Sequence, residues 1–316
     1  MNILFMGTPD FAAGILEAIL ASDEHKVVAV ITQPDRPKGR SGEAIAPPVK
    51  KLAVSAGIRV FQPVKIKEKE EVEKLKKIDA DIYVVAAFGQ ILSKEILDIP
   101  RYGCINVHAS LLPEYRGAAP IQWAIADGRK TTGVTIQQMN EGVDTGDIIT
   151  SSEVDIAADE TGESLFEKLM ICGKGLIVET LDLIEAGKAT HTPQDESKAT
   201  HAKMLKKEMG CVDFMRPADE IERLIRAFTP WPGGYTYLDG KMLKIKKCET
   251  AEGRGVPGTV IKITKDGIYV ACGKNALLIT RIQAEGKKEM PVHDFLLGNS
   301  IKEGTVLGRA KEKEGE

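Results

Sequence analysis

The feature that most constrains this 316-residue chain is an alternation, over its first 188 residues, between short apolar runs and longer amphipathic stretches. Asn2–Met6, Val27–Thr32, Asp81–Ala86 and Cys104–Val107 are nearly continuous in apolar side chains. That is the signature of strands covered on both faces. Between and after them Phe11–Leu20, Val49–Ser55, Lys67–Lys77 and Ala118–Ala126 read as helices, and Val134–Met139 and Ile148–Val154 as two further strands. A long helix from Glu163 to Glu185 ends before Gly187, which suits a position just past a helix terminus. For the first helix, Pro9 suits the first turn and Thr8 or Asp10 could cap it. Alternation of this kind predicts an α/β fold: a Rossmann-like, mainly parallel sheet with helices on both faces.

Past residue 188 the texture changes. Ala189–Lys207 is polar, rich in Thr, Lys and Gln, and reads as a linker. Pro217–Phe228 is a helix with Ile221, Leu224, Ile225 and Phe228 on one face. Short strands follow at Tyr235–Leu238, Met242–Cys248, Gly258–Ile263, Gly267–Ala271 and Ala276–Ile282, with Asp239-Gly240 and Asp266-Gly267 as turns. Five short strands in so little chain predict a small OB-like β-barrel. The expected organisation is a catalytic domain at 1–188, a linker at 189–207 and a second domain at 208–316. Trp231 reads as core packing.

Composition narrows the function classes. No apolar run approaches the ~20 residues of a membrane span, and the N-terminal segment lacks a basic region ahead of its apolar run, so a cytoplasmic location is expected. Five scattered cysteines without C-x-x-C spacing suggest buried thiols, neither a disulfide framework nor a metal site. Charge is uneven. Residues 1–200 hold 22 Lys and Arg against 30 Asp and Glu, whereas residues 201–316 hold 21 against 16. A basic second half is compatible with a polyanionic partner.

Three short segments could carry chemistry. After the first strand, Gly7 and Gly14 lack the middle glycine of a dinucleotide-binding turn, and Asp10 would repel a phosphate. Asn106 and His108 stand at alternate positions near a strand's carboxyl end, so both side chains point the same way, at the edge where open α/β sheets bind ligands. Two donors there could polarise a carbonyl oxygen, or Asn106 could cap a turn and His108 serve as a structural rim residue. Asp144, between Gly142 and Gly146, could supply a carboxylate to the same place or simply close a local turn.

These segments carry a family resemblance. Gly7-Thr8-Pro9-Asp10-Phe11-Ala12, Gln33-Pro34-Asp35-Arg36-Pro37, Ala87-Phe88-Gly89-Gln90-Ile91-Leu92, Asn106 through Gly117, Gly142-Val143-Asp144-Thr145-Gly146 and Arg226 through Gly233 together resemble the methionyl-tRNA formyltransferase family over nearly the whole chain. The Asn-x-His and Ser-Leu-Leu-Pro pattern with the later Asp is similar to folate-dependent formyltransferases at large. The Asp35-Arg36-Pro37 loop and Pro230-Trp231-Pro232 narrow it to the tRNA branch. The resemblance implies transfer of the formyl group of 10-formyltetrahydrofolate to the α-amino group of methionyl-initiator tRNA. It implies Asn106, His108 and Asp144 as catalytic residues, with Asn106 and His108 as donors and Asp144 orienting His108. It implies a folate pocket of Phe88, Gly89, Ile91, Leu92, Ser110, Leu111, Leu112 and Pro113, with Arg116-Gly117 stabilising their loop. The tRNA contacts it implies are Arg36, Lys38 and Arg40 in the loop from Gln33 to Pro48, and Lys206, Lys207, Lys244 and Lys246 in the second half. Lys244 and Lys246 would share one strand face, with Lys247 on the other. The loop departs from the family pattern, since Ser41-Gly42-Glu43-Ala44-Ile45 stands where further basic residues are common. No metal and no membrane are expected, and the chain is expected to be a monomer.

Two other functions fit parts of this pattern. A formyltransferase acting on a small amine, such as a nucleotide-sugar amine or glycinamide ribonucleotide, or a formylfolate hydrolase, would share Asn106, His108 and Asp144 but would not need the basic barrel. A non-catalytic RNA-binding protein with a dead folate site would not need the three polar residues intact.

Overall fold

The computed structural model describes residues 1–37 and 44–308, which form two compact units. Of the described residues, one unit comprises those within Met1–Pro120, Thr131–Asp155 and Phe166–Ala202; the other comprises Ile121–Lys130, Ile156–Leu165 and 203–308.

The first unit opens with β1 (Asn2–Gly7), α1 (Asp10–Leu20), β2 (Lys26–Ile31), the two-residue strands β3 (Arg36–Pro37) and β4 (Ala44–Ile45), and α2 (Pro48–Ser55). It continues with β5 (Val60–Phe61), α3 (Lys69–Leu75), β6 (Ile82–Ala86), α4 (Lys94–Leu97), β7 (Cys104–His108) and β8 (Arg116–Gly117). After α5 (Pro120–Ala126), which belongs to the second unit from Ile121 on, come β9 (Thr131–Gln138), β10 (Ile148–Asp155), α6 (Gly162–Glu185, in the first unit from Phe166 on) and β11 (His201–Ala202). Its main sheet has the order β10-β9-β7-β6-β1-β2-β5. The pairs β1–β2, β1–β6, β2–β5 and β6–β7 are parallel, while β7–β9 and β9–β10 are antiparallel. The Rossmann-like, mainly parallel sheet is therefore present, with β9 and β10 added at one edge through antiparallel pairings.

Alternate residues of each central strand serve opposite faces. Leu4, Met6, Tyr83 and Val85 pack with Val72 and Leu75 of α3 and Ile96 and Leu97 of α4. On the other face Phe11 of α1 meets Phe166 of α6 edge-on, with ring centroids 5.9 Å apart. Gly14 allows that helix pair to close: a Cβ there would stand 2.5 Å from the Met170 sulfur. The glycine serves packing, which explains why it sits outside any nucleotide-binding spacing. The helix α1 begins after Pro9 without a side-chain cap. The expected Thr8 or Asp10 cap is not formed, because the Thr8 hydroxyl donates instead to the Phe88 carbonyl at 3.1 Å. That bond ties the carboxyl end of β1 to the loop after β6, at the point where strand order reverses.

The second unit contains α7 (Ala218–Ala227), β12 (Gly234–Leu238), β13 (Lys241–Ala251), β14 (Val260–Ile263), β15 (Ile268–Ala271), β16 (Ala276–Ala284), β17 (Met290–Pro291) and α8 (Val292–Gly298). Its antiparallel sheet runs β12-β13-β16-β15-β14, with β17 on β16. The two ends of that order are joined by the segment 305–308: Gly308 pairs with Tyr237 of β12, the Leu307 amide donates to the Gly258 carbonyl, and the Val260 amide donates to the Thr305 carbonyl. This joining makes the sheet the expected OB-like barrel. Asp239 and Gly240, at φ +49° and +79°, form the tight turn between β12 and β13. Ile221 and Ile225 of α7 join the core made by Leu243, Ile245, Val260, Val270, Leu277 and Ile279.

The five cysteines are free, with Cys104, Cys248 and Cys272 buried. Burial pushes all three thiols up, that of Cys272 to about 11. Trp231 does not pack in the core as expected; it is 55% exposed, and the ring that meets Phe228 edge-on is Trp123. Among the described residues no helix is long and apolar enough to cross a membrane.

Candidate active site

Strand β7 lies between β6 and β9, and its residues are buried except Asn106, which is half-buried. Asn106 and His108 leave the same side of β7, and Asn106 pairs across the ladder with Gln137 of β9, while His108 pairs with Thr135. The polar side chains of Asn106 and Gln137 thus stand beside one another at this carboxyl edge.

Asp144 reaches this edge from the loop between β9 and β10. Its backbone sits at φ +54°, a left-handed conformation that Asp tolerates better than most residues. Its carboxylate accepts from Asn106 Nδ2 at 3.3 Å and Gln137 Nε2 at 2.9 Å on one oxygen, and from the Gly117 amide at 2.9 Å on the other. The second oxygen also lies 3.6 Å from His108 Nδ1, outside hydrogen-bond range, and the Asp144 side chain is only 15% exposed. The structure therefore brings Asn106, His108 and Asp144 into one cluster.

His108 itself is held mainly from elsewhere. Its Nε2 lies 2.9 Å from the Tyr115 carbonyl oxygen. A carbonyl only accepts, so that nitrogen carries the hydrogen. The hydrogen bond on the His108 ring is thus made with Tyr115 O, while the Asp144 carboxylate, expected to orient the ring, lies near Nδ1 but beyond hydrogen-bond range.

The expected folate residues are placed unequally. Phe88 and Leu92 are buried in the sheet core, whereas Ile91 is 73% exposed and Gly89 adopts φ +83°. Gln33 Nε2 and Thr8 Oγ1 both donate to the Phe88 carbonyl, fixing this loop at the switch point of the sheet. Ser110 is wholly enclosed, its hydroxyl donating to Glu114 O at 2.6 Å. Thr135 Oγ1 donates to Ser110 O and accepts from the Leu112 amide, which anchors the Ser110–Pro113 turn to β9. Leu112 is buried, and Leu111 and Pro113 are half-buried. Ser110 therefore shapes the loop rather than presenting its hydroxyl outward.

Of the basic residues, Arg36 is exposed on β3, and Lys38 and Arg40 lie outside the described residues. Lys206, Lys207 and Lys244 are exposed. Lys246 is only partly so, because β13 carries a bulge: Ile245 pairs with Ile282 and Lys247 with Arg281, leaving Lys246 without a register partner. The bulge breaks the period of two. It leaves Lys244 and Lys247 both exposed, with the buried Ile245 and Cys248 each next in sequence, so the expected shared face of Lys244 and Lys246 is corrected.

Sequence reasoning missed Gln137, whose amide bridges Asp144 and the Gly146 amide. The signal was a glutamine beside Val134 and Ile136 in an otherwise buried strand. It also missed Gln194, which donates to the carbonyl oxygens of Asp144 and Gly146. No local pattern marks that residue, since it belongs to the polar stretch read as a linker. Among the described residues no three His, Cys, Asp or Glu side chains gather as a metal site requires.

The fold is shared with solved structures. It matches an N-formyltransferase from Helicobacter canadensis, solved with folinic acid and dTDP-3-aminofucose, at TM-score 0.65 and 20% identity, over 89% of this chain and 98% of that one. It also matches HypX from Aquifex aeolicus, solved with tetrahydrofolic acid, at TM-score 0.63 and 18% identity, over 96% of this chain and 50% of that one. Residues 1–181 match the family model described as Formyl transferase, and residues 204–300 match Formyl transferase, C-terminal domain. Methionyl-tRNA formyltransferase from Agathobacter rectalis is 54% identical over 309 residues, 97% of this chain and 99% of that protein. The protein of the same name from Geotalea daltonii is 51% identical over 308 residues, 98% of each chain. The chain belongs to the methionyl-tRNA formyltransferase family.

Proposed function

We propose that this protein transfers the formyl group of 10-formyltetrahydrofolate to the α-amino group of methionyl-initiator tRNA, yielding formylmethionyl-tRNA for translation initiation. The observation that carries the reading is the convergence of Asn106, His108 and Asp144 at the carboxyl edge of β7, in a chain half identical to proteins named for this reaction.

The chemistry asks little of a nucleophile-activating group. An α-amino group titrates at about 7.7–8.0, so part of it is already neutral near pH 7. The donor supplies an electrophilic formyl carbon, and the protein must align the amine with it and stabilise the charge that grows on the formyl oxygen. Asn106 Nδ2 carries two hydrogens and uses one on Asp144, leaving the other for that oxygen. Asp144, a carboxylate fixed by three donors, is placed to take the proton the amine sheds, directly or through a water. His108 presents its Nδ1 edge toward the same carboxylate.

In this reading residues 1–188 carry the chemistry, 189–207 form the connection, and 208–316 contact the tRNA. Phe88, Gly89, Ile91, Leu92 and the Ser110–Pro113 turn border the folate site. Arg36, Lys38, Arg40, Lys206, Lys207, Lys244 and Lys246 contact phosphates, with Lys247 added by the bulge in β13. The protein works as a cytoplasmic monomer. The test is formyl transfer from 10-formyltetrahydrofolate to charged initiator tRNA, compared with transfer to free small amines. Saturable transfer to the tRNA substrate is expected, and transfer confined to the small amines would overturn the assignment.

A further inference from the structure

The polar stretch after α6 runs as a strap across both loops that build the site. At its start Thr192 exchanges backbone bonds with Ile148 of β10. At its end His201 and Ala202 pair with Arg116 and Gly117, and Thr200 accepts from the Arg116 amide on its carbonyl and from the Tyr115 amide on its hydroxyl. Tyr115 O holds His108, and the Gly117 amide holds Asp144. Between these anchors lies Gln194.

Gln194 makes four hydrogen bonds, and their directions determine its role. Its Nε2 donates to Asp144 O at 2.9 Å and Gly146 O at 2.7 Å. Its Oε1 accepts from Arg116 Nε at 3.0 Å and Nη2 at 2.7 Å. The Arg116 guanidinium, 3% exposed, also donates to Glu196, from Nη1 at 2.9 Å and Nη2 at 2.7 Å. Carbonyl oxygens only accept and a guanidinium only donates. The bridge therefore needs a side chain that donates at one atom and accepts at its neighbour, which an amide does and a carboxylate does not.

The two carbonyls it holds belong to the turn that projects the Asp144 carboxylate, a turn with Asp144 in a left-handed conformation. Backbone in that region persists where its surroundings hold it. We propose that Gln194 is a positioning residue for Asp144, locking the 144–146 turn against the Arg116 side of the site so that the carboxylate stays aligned with Asn106 and His108. It touches neither substrate; it acts through the backbone of the residue that does.

This inference rests on the formyl-transfer reading, and the experiment separates their failures. Gln194→Glu keeps the acceptor for Arg116 and removes the donor for the two carbonyls, whereas Gln194→Ala removes both. Misplacement by about 1 Å can cost ~10²-fold in rate. Both variants are expected to lose about 10²-fold in kcat on methionyl-tRNA, with KM for either substrate little changed. In an Asp144→Asn background Gln194→Ala is expected to cost little more, since both changes strike one device. Hydrogen exchange over Gly142–Asp147, followed by mass spectrometry, is expected to quicken in Gln194→Glu. Wild-type kcat in Gln194→Glu would overturn the inference, as would a Gln194→Ala loss that adds in full to that of Asp144→Asn. Unchanged exchange would overturn it even if the wild-type protein were idle on methionyl-tRNA, an outcome that counts against the proposed reaction.

Discussion

The seven-stranded sheet and the barrel treat polar side chains in opposite ways. In the central strands of the seven-stranded sheet both faces are covered, so Leu4 and Phe5, Tyr83 and Val84, Cys104 and Ile105 are all buried despite pointing to opposite sides. In the barrel one face of β13 is buried at Leu243, Ile245 and Cys248 and the other is open at Lys244, Lys247 and Glu249. A lysine on an open face keeps its hydration and says little about function. A polar group within a doubly covered sheet must find a partner or cost on the order of 1–3 kcal/mol, so its presence is informative. Asn106 and Gln137 meet that demand by sharing Asp144 Oδ1.

The sharpest way to break this contrast is to remove one polar group of each kind. Losing one oxyanion donor typically costs about 10²–10³ in rate. Asn106→Ala is therefore expected to lower kcat by that factor, measured by single-turnover formylation, while Lys244→Ala leaves the chemical step intact. Near-normal turnover in Asn106→Ala would remove the strand edge from the reaction.

Apolar positions should show no such contrast. Ile105 of β7 and Ile279 of β16 are both fully buried, and Ile→Val at such sites typically costs 0.5–1.5 kcal/mol. Urea unfolding of each variant is expected to give losses in that one range. A loss confined to one sheet would mean that packing quality, rather than polar placement, separates the two.

Electrostatic contacts come next. If the barrel's open face meets tRNA phosphates, each lost contact should lower the slope of log affinity against log salt by about 0.7–0.9. Lys244→Ala and Lys247→Ala are expected to do so, and Lys246→Ala less, since the bulge leaves it partly covered. Equal effects at all three would restore the unbroken alternation of the strand.

Much of this was legible in the chain because burial leaves a pattern. The aliphatic runs of β1, β6 and β7 announced strands covered on both sides, and Asn106 and His108 stood out against them. The tight turn at Asp239-Gly240 was equally plain. What escaped was whatever depended on distant partners. The bulge at Lys246 arises from its pairing with β16, so a period of two failed there. Thr8 left its capping role for a carbonyl eighty residues away. Trp231 has the composition of a core residue and the exposure of a surface one. Gln194 carries no local mark, because its function is set by carbonyls 50 and 48 residues earlier.

The smallest expected effect lies at the rim of that network. The Glu196 carboxyl is held below the usual glutamate value, chiefly by hydrogen bonds from the Arg116 guanidinium beside it. A carboxyl whose folded-state value is depressed stabilises the fold above its unfolded value, about 4.3 for glutamate. That contribution is lost as pH falls through the lowered folded value. Glu196 is 70% exposed, so water and salt screen the pair and the contribution is modest. Glu196→Gln is therefore expected to be slightly less stable than wild type in urea at pH 7, with the difference shrinking as pH drops through the carboxylate range. A gap that stays constant with pH would show that Arg116, at 3% exposure, needs only acceptors around it and not the charge. The strap would then hold the site by the same rule as Asn106 and Gln137, through satisfied hydrogen bonds alone.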